Sequence, residues 1–306
     1  MCRDCGCGLP GENPAGISAH HPEHEHSHDH EHEHEHSHEH DHERAHEHEH
    51  AHGPGHHHGE AHDHPHTHPH THTHAHQQQE DAEGRRLVEV RQAILGKNDR
   101  LAERNRGFFR AHGLLTLNVL SSPGSGKTTF LRETVRTLGK SLKTGIIVGD
   151  LATDNDAQRL RESGAPVVQI TTGTVCHLEA EMVARAVKQL DLTGLQLLII
   201  ENVGNLVCPA SYDLGEDLRV VLLSVTEGED KPLKYPPMFQ AADVVIVSKL
   251  DLAAACGYDR ENLMGNLSRV APRARVFEVS AKTGQGMDAW LGYLQQEQKE
   301  RLAIGP

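Results

Sequence analysis

The chain has 306 residues, and 27 of its 29 histidines fall between His20 and His76, a window whose only apolar residues are four alanines. So little apolar area cannot offset the entropy of ordering a backbone, so residues 20–76 are expected to be disordered and residues 77–306 to form the folding unit, a length that suits one α/β domain. The net charge of −14 is concentrated in the same window, while residues 77–306 hold 28 basic and 29 acidic residues, which excludes the basic surface of a nucleic-acid binder; no apolar run approaches the roughly 20 residues of a membrane span.

Residues 1–19 carry half of the six cysteines, in Cys2-Arg3-Asp4-Cys5-Gly6-Cys7, with no apolar stretch of a secretory signal. The expected location is the cytoplasm, where cysteines serve as metal ligands or buried thiols rather than disulfides. Cys2, Cys5 and Cys7 can converge in one short turn, and three thiolates plus an amine suit Ni²⁺, with Zn²⁺ or a free redox pair as alternatives. In residues 20–76 histidine alternates with Glu or Asp, then with Thr or Pro. Neutral imidazole suits nickel, zinc and copper, and the neighbouring carboxylates raise histidine basicity, so metal uptake should fall below about pH 6. A solubility tail is the blander explanation of the same tract.

Residues 77–112 read as a helical segment of the domain. Leu87, Val90, Ile94, Leu101 and Phe108 recur at near-helical spacing, predicting a helix from about Asp81 to Ala111 with an interruption at Gly96. Within 113–306 the period changes. Apolar runs at 114–120, 144–148, 166–170, 195–200, 219–225, 243–247 and 275–279 predict buried strands, most separated by helix-length segments, with a closing helix from about Met287 to Leu302. The predicted fold is α/β, a doubly wound, mostly parallel sheet.

After the first of these strands comes Ser121-Ser122-Pro123-Gly124-Ser125-Gly126-Lys127-Thr128-Thr129, the G-x-x-x-x-G-K-[ST] phosphate loop with Ser121 at the first glycine position. Small residues let successive N–H groups (Gly124, Ser125, Gly126, Thr129) face one concavity, Lys127 reaches the outer phosphates, and Thr128 holds Mg²⁺. Ser248-Lys249-Leu250-Asp251 and Ser280-Ala281-Lys282 occupy the places of the N-K-x-D and S-A-K elements that read guanine, with Ser248 for Asn. Asp251 would accept from guanine N1 and N2, whereas adenine would leave it unpaired. Asp150 and Glu201 end apolar runs and are expected at the carboxyl edge of the sheet, on Mg²⁺ and its waters, unless one only caps a helix. With no glutamine placed to orient water and no arginine finger, hydrolysis should be slow.

Cys176 and His177, placed at the start of a helical stretch, and Cys208 beyond the Glu201 loop, form an incomplete soft donor set for Zn²⁺ or Ni²⁺; a two-fold contact between copies could complete it. On spacing alone Cys208 could equally be a buried small residue and His177 a cap. Cys256 is read as structural.

Taken together, SSPGSGKTT (121–129), GDLATDNDAQRL (149–160), TTGTVCHLEAEMV (171–183), ENVGNLVCPASYDLGED (201–217) and SVTEGEDKPLKYPPMF (224–239) resemble the HypB family of hydrogenase nickel-incorporation GTPases, from about residue 85 onward and again at Cys2 to Cys7. The resemblance implies a P-loop GTPase that dimerises with GTP, ligates metal through Cys176, His177 and Cys208, and passes nickel with a HypA-type chaperone to the hydrogenase large-subunit precursor. It also implies nickel binding by Cys2, Cys5 and Cys7 and nickel storage by the histidine tract. Ser248 and Thr174-Val175 depart from the family pattern without removing a ligand. A metal storage or detoxification protein whose GTPase domain controls oligomerisation is the alternative from another class.

Overall fold

The computed structural model describes residues 16–18, 74–139 and 141–304. The strands are β1 (Gly16–Ser18), β2 (Leu115–Ser121), β3 (Thr144–Asp150), β4 (Val167–Thr171), β5 (Leu197–Glu201), β6 (Leu218–Ser224), β7 (Val244–Ser248) and β8 (Arg275–Glu278). The helices are α1 (His74–Ala111), α2 (Lys127–Leu138), α3 (Asn155–Arg161), α4 (Ala180–Val187), α5 (Lys231–Lys234), α6 (Pro236–Gln240), α7 (Ala253–Cys256), α8 (Arg260–Val270) and α9 (Met287–Ile304). Of the described residues, β1 and those from 86 onward belong to one compact unit, and residues 74–85, the start of α1, to another. Among the described residues no helix is long and apolar enough to cross a membrane.

The sheet runs β1-β4-β3-β5-β2-β6-β7-β8, with every pairing parallel except β1 against β4. Each of the seven predicted strands is present, within a few residues of its predicted ends. Their apolar runs are continuous because both faces are covered: Leu197 and Ile199 of β5 pack with Phe130, Leu131 and Trp290 of α2 and α9, while Leu198 and Ile200 pack with Phe109 and Val183 of α1 and α4. A third cluster joins Val221 and Val245 to α6 and α8 through Phe239 and Leu263. With β3 and β4 on one side of β2 and β6 to β8 on the other, the order reverses at β2, so the loop after β2 opens at the switch point where ligands bind in such sheets.

Two expectations need correction. α1 runs unbroken through Gly96, with His74 as its first residue. A glycine costs a helix only about 1 kcal/mol, which the flanking turns absorb. The packed face also differs from the apolar one: Asn98, Ala102, Asn105 and Phe109 are buried, whereas Val90, Ile94 and Phe108 are exposed. The buried asparagines are satisfied by backbone. Asn98 Oδ1 accepts from Ala180 N at 2.9 Å and its Nδ2 donates to Asp213 O at 2.7 Å, while Asn105 Nδ2 donates to Ala180 O at 2.8 Å and to Leu214 O at 3.0 Å. The third departure is β1, a three-residue edge strand that no sequence pattern announced.

Candidate nucleotide and metal site

The phosphate loop leaves β2 and enters α2, whose first residue is Lys127. Gly124 and Gly126 take φ of 77° and 91°, a region costly for other residues, and a Cβ at Gly126 would meet Lys249 Cε at 3.4 Å. Ser121 is the last residue of β2 and has no positive φ, so this position tolerates serine where the pattern has glycine. A cavity of about 470 Å³ lies over the loop, lined by Gly124 to Thr129 and also by Asp150, Asp156, Arg159, Gly204 and Lys249.

Glu201, at the end of β5, lies against the first turn of α2. Thr128 Oγ1 donates to Glu201 Oε1 at 2.9 Å, and Lys127 Nζ sits 3.2 Å from the same oxygen. Burial pushes the Glu201 carboxyl up and Asp156 adds to this, against Lys127 and the Thr128 hydroxyl, which pull it down. Its second oxygen, Oε2, is buried without a hydrogen-bond partner. An oxygen left so beside Thr128 fits a hard divalent cation or its water, as a Mg²⁺ site requires. Asp150 ends β3 as predicted and lines the cavity, while its Oδ1 accepts from Ala152 N and Thr153 N at 3.0 and 3.1 Å, which holds the loop before α3.

The elements expected to read the base meet at the other side of the loop. Lys249 is the only non-glycine residue with positive φ among those described, at 59°, and its Nζ donates to Gly124 O at 2.6 Å. Ser248 Oγ donates to Ser125 O at 2.8 Å. Ser280 Oγ donates to Asp251 Oδ1 at 2.6 Å, and Leu250 N bonds to Val279 O at 3.1 Å, which joins the Asp251 turn to the Ser280-Ala281-Lys282 turn. Asp251 and Lys282 are exposed and Ala281 is half-buried.

The ligand atoms of Cys176, His177 and Cys208 lie within 4.8 Å of one another. Cys176 and His177 sit in the loop before α4 rather than on its first turn, because α4 starts at Ala180 with Glu179 as its cap residue; His177 is therefore not a cap. Cys208 opens a short 3-10 turn. The His177 ring stacks on Tyr212 at 3.9 Å, and both of its nitrogens are buried without a hydrogen bond, as suits a metal donor. Cys2, Cys5, Cys7 and the histidine tract up to residue 73 lie outside the described residues. Sequence reasoning missed Asp156 and Arg159, which the spacing of α3 turns toward the cavity, and Asn202 and Asn205, whose polar side chains looked like ordinary loop residues.

Residues 115–278 match the CobW/HypB/UreG nucleotide-binding domain. The chain is 52% identical over 217 residues, 71% of each chain, to the hydrogenase maturation factor HypB of Azotobacter chroococcum mcd 1. The chain belongs to the HypB family of hydrogenase maturation factors. It is 51% identical over 213 residues to the Escherichia coli K12 HypB, covering 70% of this chain and 73% of that one. A crystal structure of HypB from Helicobacter pylori in complex with nickel superposes with a TM-score of 0.64 at 43% identity, covering 67% of this chain and 96% of that one. The matched region holds the phosphate loop and both cysteine loops, so the P-loop GTPase fold applies to the part that carries the site.

Proposed function

We propose that this protein hydrolyses GTP with Mg²⁺ and uses the bound nucleotide to control nickel held by Cys176, His177 and Cys208, delivering it for maturation of the [NiFe]-hydrogenase large subunit. The observation that supports this reading is the position of Cys208: it lies on the segment that starts at Glu201, the residue gripping Lys127 and Thr128, and ends within ligand distance of Cys176 and His177. The nickel complex of the Helicobacter pylori relative agrees with it.

In this reading the backbone N–H groups from Gly124 to Thr129 and Lys127 orient the triphosphate, and Thr128, Asp150 and Glu201 would hold Mg²⁺, which would neutralise charge developing on the phosphates. Asp251 selects guanine and Ser280 fixes its carboxylate. Arg159 brings a cation to the cavity wall, and no glutamine is among the described residues that line it, in keeping with slow turnover. Three donors from one chain leave a position open on Ni²⁺, or on Zn²⁺ in its place, which a second copy in a GTP-favoured homodimer would complete. The Cys2, Cys5 and Cys7 motif and the histidine tract serve as loading and storage sites, and a HypA-type chaperone and the hydrogenase precursor are the acceptors.

Calorimetric titration of nickel in the presence of GDP and of a non-hydrolysable GTP analogue tests the reading. Different affinities in the two states are expected, and by linkage nickel must change nucleotide affinity by the same factor. Equal affinities would refute nucleotide control.

A further inference from the structure

Two amide side chains of the segment from Glu201 to Cys208, Asn202 and Asn205, tie it to its surroundings. Asn202 is fully buried. Its Oδ1 accepts from Leu178 N at 3.2 Å and from Val203 N at 2.9 Å, and its Nδ2 donates to Asn118 Oδ1 at 3.2 Å on β2, the strand that feeds the phosphate loop. Asn205 Nδ2 donates to Cys176 O at 3.5 Å, and its Oδ1 accepts from Val207 N at 2.8 Å, one residue before Cys208. Between them Gly204 rests on the phosphate loop, where a Cβ would come within 3.4 Å of Pro123 Cα and N.

These contacts place one segment between the phosphate loop and the metal donors. Asn202 bonds are buried and tied to a strand, so this residue can serve as a pivot. The Asn205 bond to Cys176 sits at the long limit of a hydrogen bond, where a shift of a few tenths of an ångström decides whether it exists. The two contacts, on Cys176 O and Leu178 N, bracket His177. A displacement of Gly204 by ligand on the phosphate loop would therefore turn the segment about Asn202 and change the Asn205 to Cys176 distance, and with it the spacing of Cys176 and Cys208.

We propose that Asn202 and Asn205 are positioning residues that pass the state of the phosphate loop to the ligand set of Cys176, His177 and Cys208. The inference rests on the nucleotide control proposed above and names the side chains that carry it.

The test uses the full-length chain with Cys2→Ser, Cys5→Ser, Cys7→Ser and Cys256→Ser, so that thiolate-to-nickel absorption reports on Cys176 and Cys208. Nickel is titrated with GDP or with a non-hydrolysable GTP analogue, and the ratio of the two apparent affinities is read. Asn205→Asp keeps the acceptor for Val207 N, loses the donation to Cys176 and adds a negative charge, while Asn205→Ala loses both bonds and adds no charge; Asn202→Ala removes the pivot. Fluorescence of Trp290, the single tryptophan and fully buried, checks folding.

A parent ratio on the order of tenfold is expected to fall to within about twofold in both Asn205 variants, with a shifted absorption band and GTP affinity retained. Unchanged ratios in both, in a parent that shows coupling, would overturn the proposal alone. A parent ratio of one would overturn the nucleotide control on which it rests, and this proposal with it.

Discussion

The Ser248 hydroxyl donates to the carbonyl oxygen of Ser125, 2.8 Å away, and so ties the end of β7 to the phosphate loop. The pattern has asparagine at this position, and the short serine hydroxyl reaches the loop because β7 ends directly beside it. Ser248→Ala leaves a buried carbonyl unpaired, at about 1–2 kcal/mol, so GDP and GTP affinities should both fall about 5- to 30-fold. Selectivity for guanine over adenine should stay, whereas Asp251→Ala should lose it. Nucleotide titration calorimetry on the two variants separates these roles, and a loss of selectivity in Ser248→Ala would contradict the assignment.

Lys127 and Thr128 both address one oxygen of Glu201. Lys127→Ala removes the cation beside a carboxylate that is 1% exposed, and breaking such a pair costs about 3–5 kcal/mol unless the acid takes up a proton. GTP binding and hydrolysis should be lost, while nickel absorption at Cys176 and Cys208 persists with no response to nucleotide. Hydrolysis surviving in this variant would remove Lys127 from the phosphate site.

The Glu216 carboxylate sits in a buried ring of donors: Asn118 Nδ2 at 3.0 Å, Leu214 N at 2.7 Å, and Arg219 Nε and Nη2 at 3.0 and 2.8 Å. Burial alone would raise its pKa, but Arg219 and the amide donors outweigh it and hold the acid below the usual carboxylate range. A folded pKa below the unfolded one means that its stabilisation is present above the ordinary glutamate range and is lost as pH falls through the folded value. Glu216→Gln should therefore cost about 1–3 kcal/mol at pH 7, with the gap to the parent narrowing below about pH 4. Denaturant unfolding measured across that range checks it, and a gap independent of pH would show that the charge plays no part.

Deleting residues 20–73, which stops short of α1, should remove most of the bound nickel measured by metal analysis while GTP turnover stays at the parent rate. Each histidine lost is a donor lost, and no histidine is among the described residues that line the cavity over Lys127. Loss of turnover in this deletion would show that the tract is not an independent reservoir.

The parallel strands were legible because burial on both faces writes an unbroken apolar run, as in Leu197 to Ile200. The phosphate loop was legible because its chemistry requires small residues and a lysine at fixed spacing. The inner face of α1 was not. There, Asn98 and Asn105 take core positions by satisfying both backbone groups of Ala180, and a reading that equates buried with apolar points to Val90 and Ile94 instead. Asn202 escaped for the same reason. Cys176 and His177 were found by type but placed on a helix, since nothing in the sequence fixed where α4 begins. The three residues of β1 carry no periodicity to detect.

That short strand has a consequence for solubility. By pairing antiparallel with β4, Gly16 to Ser18 covers one rim of the sheet, where Gln169 to Thr171 would otherwise offer a row of open amides and carbonyls to another molecule. Trimming the chain ahead of residue 19 would bare that rim, and a shortened protein prepared to simplify metal studies would gain a tendency to stick to itself along β4.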